Sequence, residues 1–337
     1  MIEIDGSFGE GGGQILRSSL ALAIVTGQPV RLSNIRAGRR KPGLMRQHLT
    51  AVNAAAAICG ATVDGERIGA TELTFSPGAV RAGEYQFSIG TAGSTTLVLQ
   101  TVLLPLLTAG GPSRIVLEGG THNPFAPPFD FLERAYLPLI NRMGPNVRAT
   151  LERPGFYPAG GGRIAIEIEP ATGLHGFELC ARGDVVRRRA RAVVANLSCN
   201  IAKRELGVIQ KRLGWDETEL EVVEIAGAPG PGNIVTLELT CEHVAEVFTG
   251  FGEVSRSAEA VATHAVQQCQ RYLKTAAPVG EYLTDQLMLP LALKGQGEFV
   301  STGLSRHAET HLALIREFLN VRVETQRCDG GVRVRFG

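Results

Sequence analysis

The chain has 337 residues, long enough for two domains, with 44% hydrophobic and 20% charged residues. Its 34 basic side chains stand against 33 acidic ones, a net charge of +1, which excludes a protein that coats nucleic acid through a diffuse positive surface. Six cysteines, at 59, 180, 199, 241, 269 and 328, form no C-x-x-C pair and no zinc spacing, so reduced thiols in a cytoplasmic protein are expected.

Residues 1–5 hold neither a basic n-region nor an apolar h-region, and no secretory leader is expected. The most apolar stretch, 97–107, contains Pro105 and is too short to span a bilayer, so no membrane partner is expected.

The next stretch, Gly9-Glu10-Gly11-Gly12-Gly13, opens a helix predicted over 13–25. Successive glycines at a helix start leave backbone N–H groups free to face an anion. Glu10 adds a hard oxygen ligand suited to Mg²⁺ or Mn²⁺, and Arg17 follows about one turn into the helix. A strand over 30–35 leads to the loop 36–43, in which Arg36 and Arg39 straddle Gly38 and offer forked donors to one phosphate. A second helix over 44–59 and strands within 62–75 complete this unit.

The pattern then recurs. Helix 94–108 and strand 114–118 lead to the proline loop 119–128, helix 129–142, and strands 147–151 and 163–168. A proline face such as Pro127 can stack on a purine, although a proline at a helix start is also a plain structural device. Near the C-terminus come helix 282–293, strand 298–301, loop 302–306, helix 307–319, and strands 321–325 and 332–336. Tyr282 offers an aromatic platform, and Asp285 and Gln286 offer partners to a base edge or ribose. His307 opens the last helix, and a neutral imidazole there is a competent nucleophile toward phosphorus.

Pro42 and Pro127 stand 85 residues apart, and Pro127 and His307 stand 180 apart. The excess places an insertion between the second and third units. Residues 180–276 fit it, with strands over 192–197, 220–225 and 233–240 and helices over 201–213 and 257–273. The run Arg187-Arg188-Arg189-Ala190-Arg191 reads as a solvated strand edge rather than an RNA contact. The expected fold is α+β, built of two-layer α/β repeats. Three helix-strand-helix-sheet units surround a pseudo-threefold axis, with units one and two in 1–179, a small inserted α/β domain in 180–276, and unit three in 277–337.

As an ordered set, GEGGGQILRS, IRAGRRKPGL-x-RQHL, AGS-x-TLVLQTVL, GFYPAGGG and VGEYL-x-DQL resemble the RNA 3′-terminal phosphate cyclase family nearly from end to end. Pro154 and Arg306 stand where the family more often carries other residues. The resemblance implies an enzyme that takes AMP from ATP onto a histidine, with a divalent metal. AMP then passes to the 3′-phosphate of an RNA, and the vicinal 2′-OH closes a 2′,3′-cyclic phosphate. It implies His307 as nucleophile, Glu10 as metal holder, and Arg17, Arg36, Arg39 and Gln47 as phosphate ligands. Pro127 and Tyr282 would sandwich adenine, with Gln100, Leu283, Thr284, Asp285 and Gln286 completing the nucleotide site. Two other classes compete: a non-catalytic cyclase-like RNA-binding protein of ribosome assembly, and an enolpyruvyl transferase of similar repeated architecture. The joint presence of Glu10, Arg17, Arg36, Arg39 and His307 speaks against the first, while the second handles phosphate with Arg and Lys but needs no histidine nucleophile. No motif speaks to the natural RNA or to the oligomeric state.

Overall fold

The computed structural model describes residues 1–337 as a mixed α/β protein built on four four-stranded sheets. The first sheet holds β1 (Ile2–Asp5), β2 (Val30–Ser33), β3 (Thr62–Asp64) and β4 (Leu73–Ser76) in the order β1-β2-β4-β3. Its first pair is parallel and the other two are antiparallel. The second sheet holds β5 (Glu84–Ser88), β6 (Ser113–Gly119), β7 (Asn146–Arg153) and β8 (Gly162–Glu169) in the same scheme, β5-β6-β8-β7, with the same pairing senses.

Beyond β9 (Glu178–Leu179) come β10 (Val185–Ala195), β11 (Leu220–Ile225), β12 (Gly232–Cys241) and β13 (Ala245–Phe251), ordered β11-β10-β12-β13. The last sheet adds β14 (Gly297–Ser301), β15 (Val323–Cys328) and β16 (Gly331–Phe336), with β9 returning to pair parallel to β14. Its order, β9-β14-β16-β15, repeats the scheme of the first two sheets.

The helices follow from apolar spacing and caps. In α1 (Gly13–Thr26) the apolar residues run all round, so nearly every turn is buried, and left-handed Gly27 ends it. A similar glycine, Gly60, ends α2 (Arg46–Cys59). Ser94 caps α3 (Thr95–Leu106) by accepting from the Leu97 amide. The helix expected over 129–142 is not one regular helix. Short α4 (Phe129–Phe131) passes through a π-helical turn at Leu132–Tyr136 into α5 (Leu137–Asn141), where Pro138 sits in the first turn and needs no amide partner. The remaining helices are α6 (Cys199–Leu213), α7 (Ala258–Leu273), α8 (Glu281–Lys294) and α9 (Arg306–Phe318).

One core of 62 buried residues joins the three similar sheets through α1, α3, α8 and α9. A separate core of 16 lies between the β10–β13 sheet and helices α6 and α7. Ion pairs and a hydrogen bond fasten this unit to the rest. Arg191 reaches Asp130 at 3.1 Å, Arg134 pairs with Glu238, and the Gly280 amide donates to buried Glu246 at 2.5 Å. The arginine run is therefore not a solvated edge. Strand β10 is interior to its sheet, and Arg187, Arg189 and Arg191 are tied to Glu238, Glu221 and Asp130. All six cysteines are free, and no helix is long and apolar enough to cross a membrane.

Candidate active site

The glycine turn ahead of α1 docks on the first turns of α9. The Glu10 amide donates to the Thr310 hydroxyl at 3.3 Å, and a side chain at left-handed Gly9 would strike that same threonine. At Gly13 a side chain would run into His48 and Arg17, so only glycine lets the helix start approach them. The approach sets two contacts between α1 and α9, one turn apart. Gln14 meets His307, and the Ser18 hydroxyl meets the His311 ring at 2.9 Å.

His307 is held from two sides. Its carbonyl accepts from the Gln14 amide nitrogen at 3.0 Å, and its Nδ1 donates to Gln14 Oε1. With Nδ1 carrying the proton, Nε2 is left with its lone pair. Burial, then the positive charges of Arg17 and Arg39, push the His307 pKa below the ordinary 6.5. The ring is therefore neutral at neutral pH. His311 is fully buried, and burial first, then His307, press its pKa to about 3. Its bond to Ser18 and the lack of any cluster of three metal-ligating groups make it a structural histidine.

Arg17 is buried within α1, and its Nε has no hydrogen-bond partner. Burial lowers its pKa to about 10, so the guanidinium stays charged. A buried cation with an unused donor beside a helix N-terminus calls for an anion. His48 lies against the same turn. Its Nδ1 accepts from the Met45 amide at 3.1 Å, and burial, with Arg17 and Arg36 nearby, takes its pKa to about 3. The sequence singled out neither His48 nor Gln14. Gln14 stands in the glycine motif, yet an amide carries no charge to mark it.

The other expected phosphate ligands gather around this turn with different engagements. Arg39 pairs with the Glu10 carboxylate and donates to the Glu10 carbonyl at 3.1 Å. Arg36, in left-handed backbone at φ 56°, donates to the carbonyls of Lys41 and Gly43 at 2.8 Å each, closing its own loop. Gln47 Oε1 accepts from the Ser94 amide at 2.7 Å, which ties α2 to the start of α3. Glu10 is the one carboxylate in this group. That donor set suits an octahedral cation such as Mg²⁺, which takes one carboxylate, substrate phosphates and retained waters rather than an all-protein cage.

A small recess lies between α3 and the π-helical turn, lined by Leu99, Gln100, Pro127, Phe131, Tyr136 and Gln286 among others. Two of these lining residues are bonded to each other, the Gln100 amide donating to Gln286 Oε1 at 2.6 Å. Gln100, Pro127 and Gln286 thus share one apolar slot with polar edges. Tyr282 is exposed outside the recess. Leu283 and Thr284 turn into the core, where the Thr284 hydroxyl donates to the Gly280 carbonyl at 2.9 Å. Asp285 is buried: the Ser305 hydroxyl donates to it at 2.5 Å, and burial raises its pKa to about 7. Ser305 also caps α9 by accepting from the Ala308 amide. Gln286 of the recess and His307 are therefore linked through Asp285 and Ser305.

The family model described as RNA 3′-terminal phosphate cyclase matches residues 8–325. A curated relative of that name from Salmonella typhimurium is 48% identical over 335 residues, covering 99% of this chain and 98% of its own. Another, from Ectopseudomonas mendocina, is 49% identical over 322 residues, covering 96% and 94%. A solved EPSP synthase from Acinetobacter baumannii aligns with 99% of this chain and 64% of its own at 11% identity and a TM-score of 0.36, too slight a likeness to bear on the fold.

Proposed function

The chain belongs to the RNA 3′-terminal phosphate cyclase family, and from that premise we propose that it converts an RNA 3′-phosphate into a 2′,3′-cyclic phosphate at the expense of ATP. The observation that carries the reading is the His307 ring, neutral and fixed at Nδ1 by Gln14, beside the unpartnered guanidinium of Arg17.

His307 Nε2 attacks the α-phosphorus of ATP, an N–P bond forms, the bond to the bridging oxygen breaks, and pyrophosphate leaves. The 3′-phosphate of the RNA displaces His307 and takes AMP as a mixed anhydride. The vicinal 2′-OH then attacks the former 3′-phosphorus, loses its proton and expels AMP. A hydroxyl at C2′ is required, so RNA is the substrate and DNA is not.

The chain supplies alignment and charge. Arg17 neutralises developing negative charge from one turn into α1, and the free amides of the helix start add to its field. Arg36, Arg39 and Gln47 would bind phosphates, partly of the RNA end. Glu10 would hold Mg²⁺ or Mn²⁺, which when bound shields the nucleotide phosphates. Pro127 and Tyr282 would face the adenine, with Gln100, Leu283, Thr284, Asp285 and Gln286 around the nucleotide. The common pairing scheme of three sheets supports their packing as repeats about a pseudo-threefold axis. The separate core supports a division into 1–179, 180–276 and 277–337. A cytoplasmic site of action fits six free thiols.

The test is an oligonucleotide ending in a 3′-phosphate, incubated with ATP and Mg²⁺. Its phosphate should become resistant to phosphatase, with AMP released in equal amount. No observation favours the non-catalytic alternative, which would leave the phosphate open to removal.

A further inference from the structure

Phe125 is fully exposed, at 101% of its reference surface, and its backbone is left-handed at φ 64°. Glycine or asparagine would hold that conformation at less cost, and a phenylalanine there gains no burial in return. A second aromatic, Tyr157, is 68% exposed on the adjoining loop.

The two loops are fastened together. His122 and Phe156 are parallel bridge partners, their rings stack at 5.2 Å, and the amides of Thr121 and His122 both donate to the Gly155 carbonyl. Phe125 lies three residues beyond His122 and Tyr157 one beyond Phe156, so their Cα atoms are at most roughly 20 Å apart. Between these loops and the start of α2 runs the turn at 89–94. On one side the Ala92 carbonyl accepts from Asn123, and a side chain at Gly160 would strike the Ala92 backbone. On the other side the Ser94 amide donates to Gln47, and exposed Arg46 reaches over Gly90. One continuous rim therefore runs from Gln47 and Arg46 to Tyr157 and Phe125.

A strand whose terminal phosphate rests by Gln47 must leave along some part of this rim, and the path past Arg46 meets two bare π faces. Aromatic platforms next to arginines suit single-stranded RNA, because every base has a face to stack and the contact tolerates any sequence. We propose that Phe125, helped by Tyr157, is a stacking subsite for nucleobases upstream of the RNA's terminal phosphate. The proposal rests on the cyclase reading above.

The test compares two oligonucleotides ending in a 3′-phosphate, one intact and one abasic at the nucleotides preceding the terminus. Wild type, Phe125→Ala, Phe125→Trp and Tyr157→Ala are assayed for cyclisation and, separately, for self-adenylation by labelled ATP. On intact RNA, Phe125→Ala should raise the RNA KM about tenfold, the equivalent of about 1.4 kcal/mol of stacking, while adduct formation with ATP holds. Phe125→Trp should keep the wild-type KM, and Tyr157→Ala should raise it less. On abasic RNA the wild-type KM should rise and the Phe125→Ala difference should vanish. An unchanged KM in Phe125→Ala, or an equal loss on intact and abasic RNA, overturns the subsite while leaving the cyclase reading intact. A wild type that neither adenylates nor cyclises overturns the cyclase reading, and the subsite with it.

Discussion

Gln14 grips His307 twice, once at the ring through Nδ1 and once at the main-chain carbonyl at 3.0 Å. The first contact sets which nitrogen is free, and the second fixes where α9 begins relative to α1. Gln14 is thus a positioning residue. Gln14→Ala should slow self-adenylation on the order of 100-fold, as misplacing a reacting atom by about an ångström does, with little change in the KM for ATP. Stopped-flow adduct formation checks this, and a large KM effect with unchanged rate would contradict it.

The acid limb of self-adenylation should fall below the ordinary histidine value of 6.5, because burial and two arginines hold the His307 pKa down. Gln14→Glu places a carboxylate at Nδ1, stabilises the imidazolium, and should move that limb upward. A pH–rate profile of kcat/KM reads both, and a wild-type midpoint at or above 6.5 would contradict the electrostatic account.

Ser305 both caps α9 and bonds Asp285. Ser305→Ala should cost about 1 kcal/mol of stability from the lost cap. It should also lower the adenylation rate, because His307 sits two residues along. Thermal unfolding and single-turnover assays measure the two effects, and intact adenylation would show that the cap does not steer the histidine.

Glu246 fastens the β10–β13 unit to the start of α8. Burial raises its pKa from 4.5 to about 8, against the hydrogen bonds from Gly280 and Val247. The folded state then holds a proton that the unfolded state releases, so this contribution is full below 4.5 and is lost as pH rises toward about 8. Across that window the wild type should lose stability relative to Glu246→Gln. Urea unfolding at several pH values checks the sign, and parallel curves would refute it.

The sequence carried α9, whose apolar residues have a clear period, α1, a long apolar run opened by glycines, and the sites that depend on charge or glycine. It missed β13, whose pattern Gly250 interrupts, and β5, whose alternating residues are half exposed. It began β10 late because Arg187–Arg189 look like a solvated run. Their partners Glu238 and Glu221 lie on other strands, so the pairing exists only after folding. The same reason hid Gln14 and the link from Asp285 to Ser305. Both join different elements, Gln14 to His307 across 293 positions and Asp285 to Ser305 across 20. Asp285 reads in sequence as a partner for a base edge or ribose, and its bond to the cap of α9 emerges only in the fold.

The central claim is that His307 Nε2 becomes bonded to AMP. Incubating the protein with α-labelled ATP and Mg²⁺, then separating protein from nucleotide, measures it directly. The wild type should carry label in an acid-labile, alkali-stable linkage, and His307→Ala should carry none. Label that persists in His307→Ala, or a folded wild type that takes up none, would contradict the account.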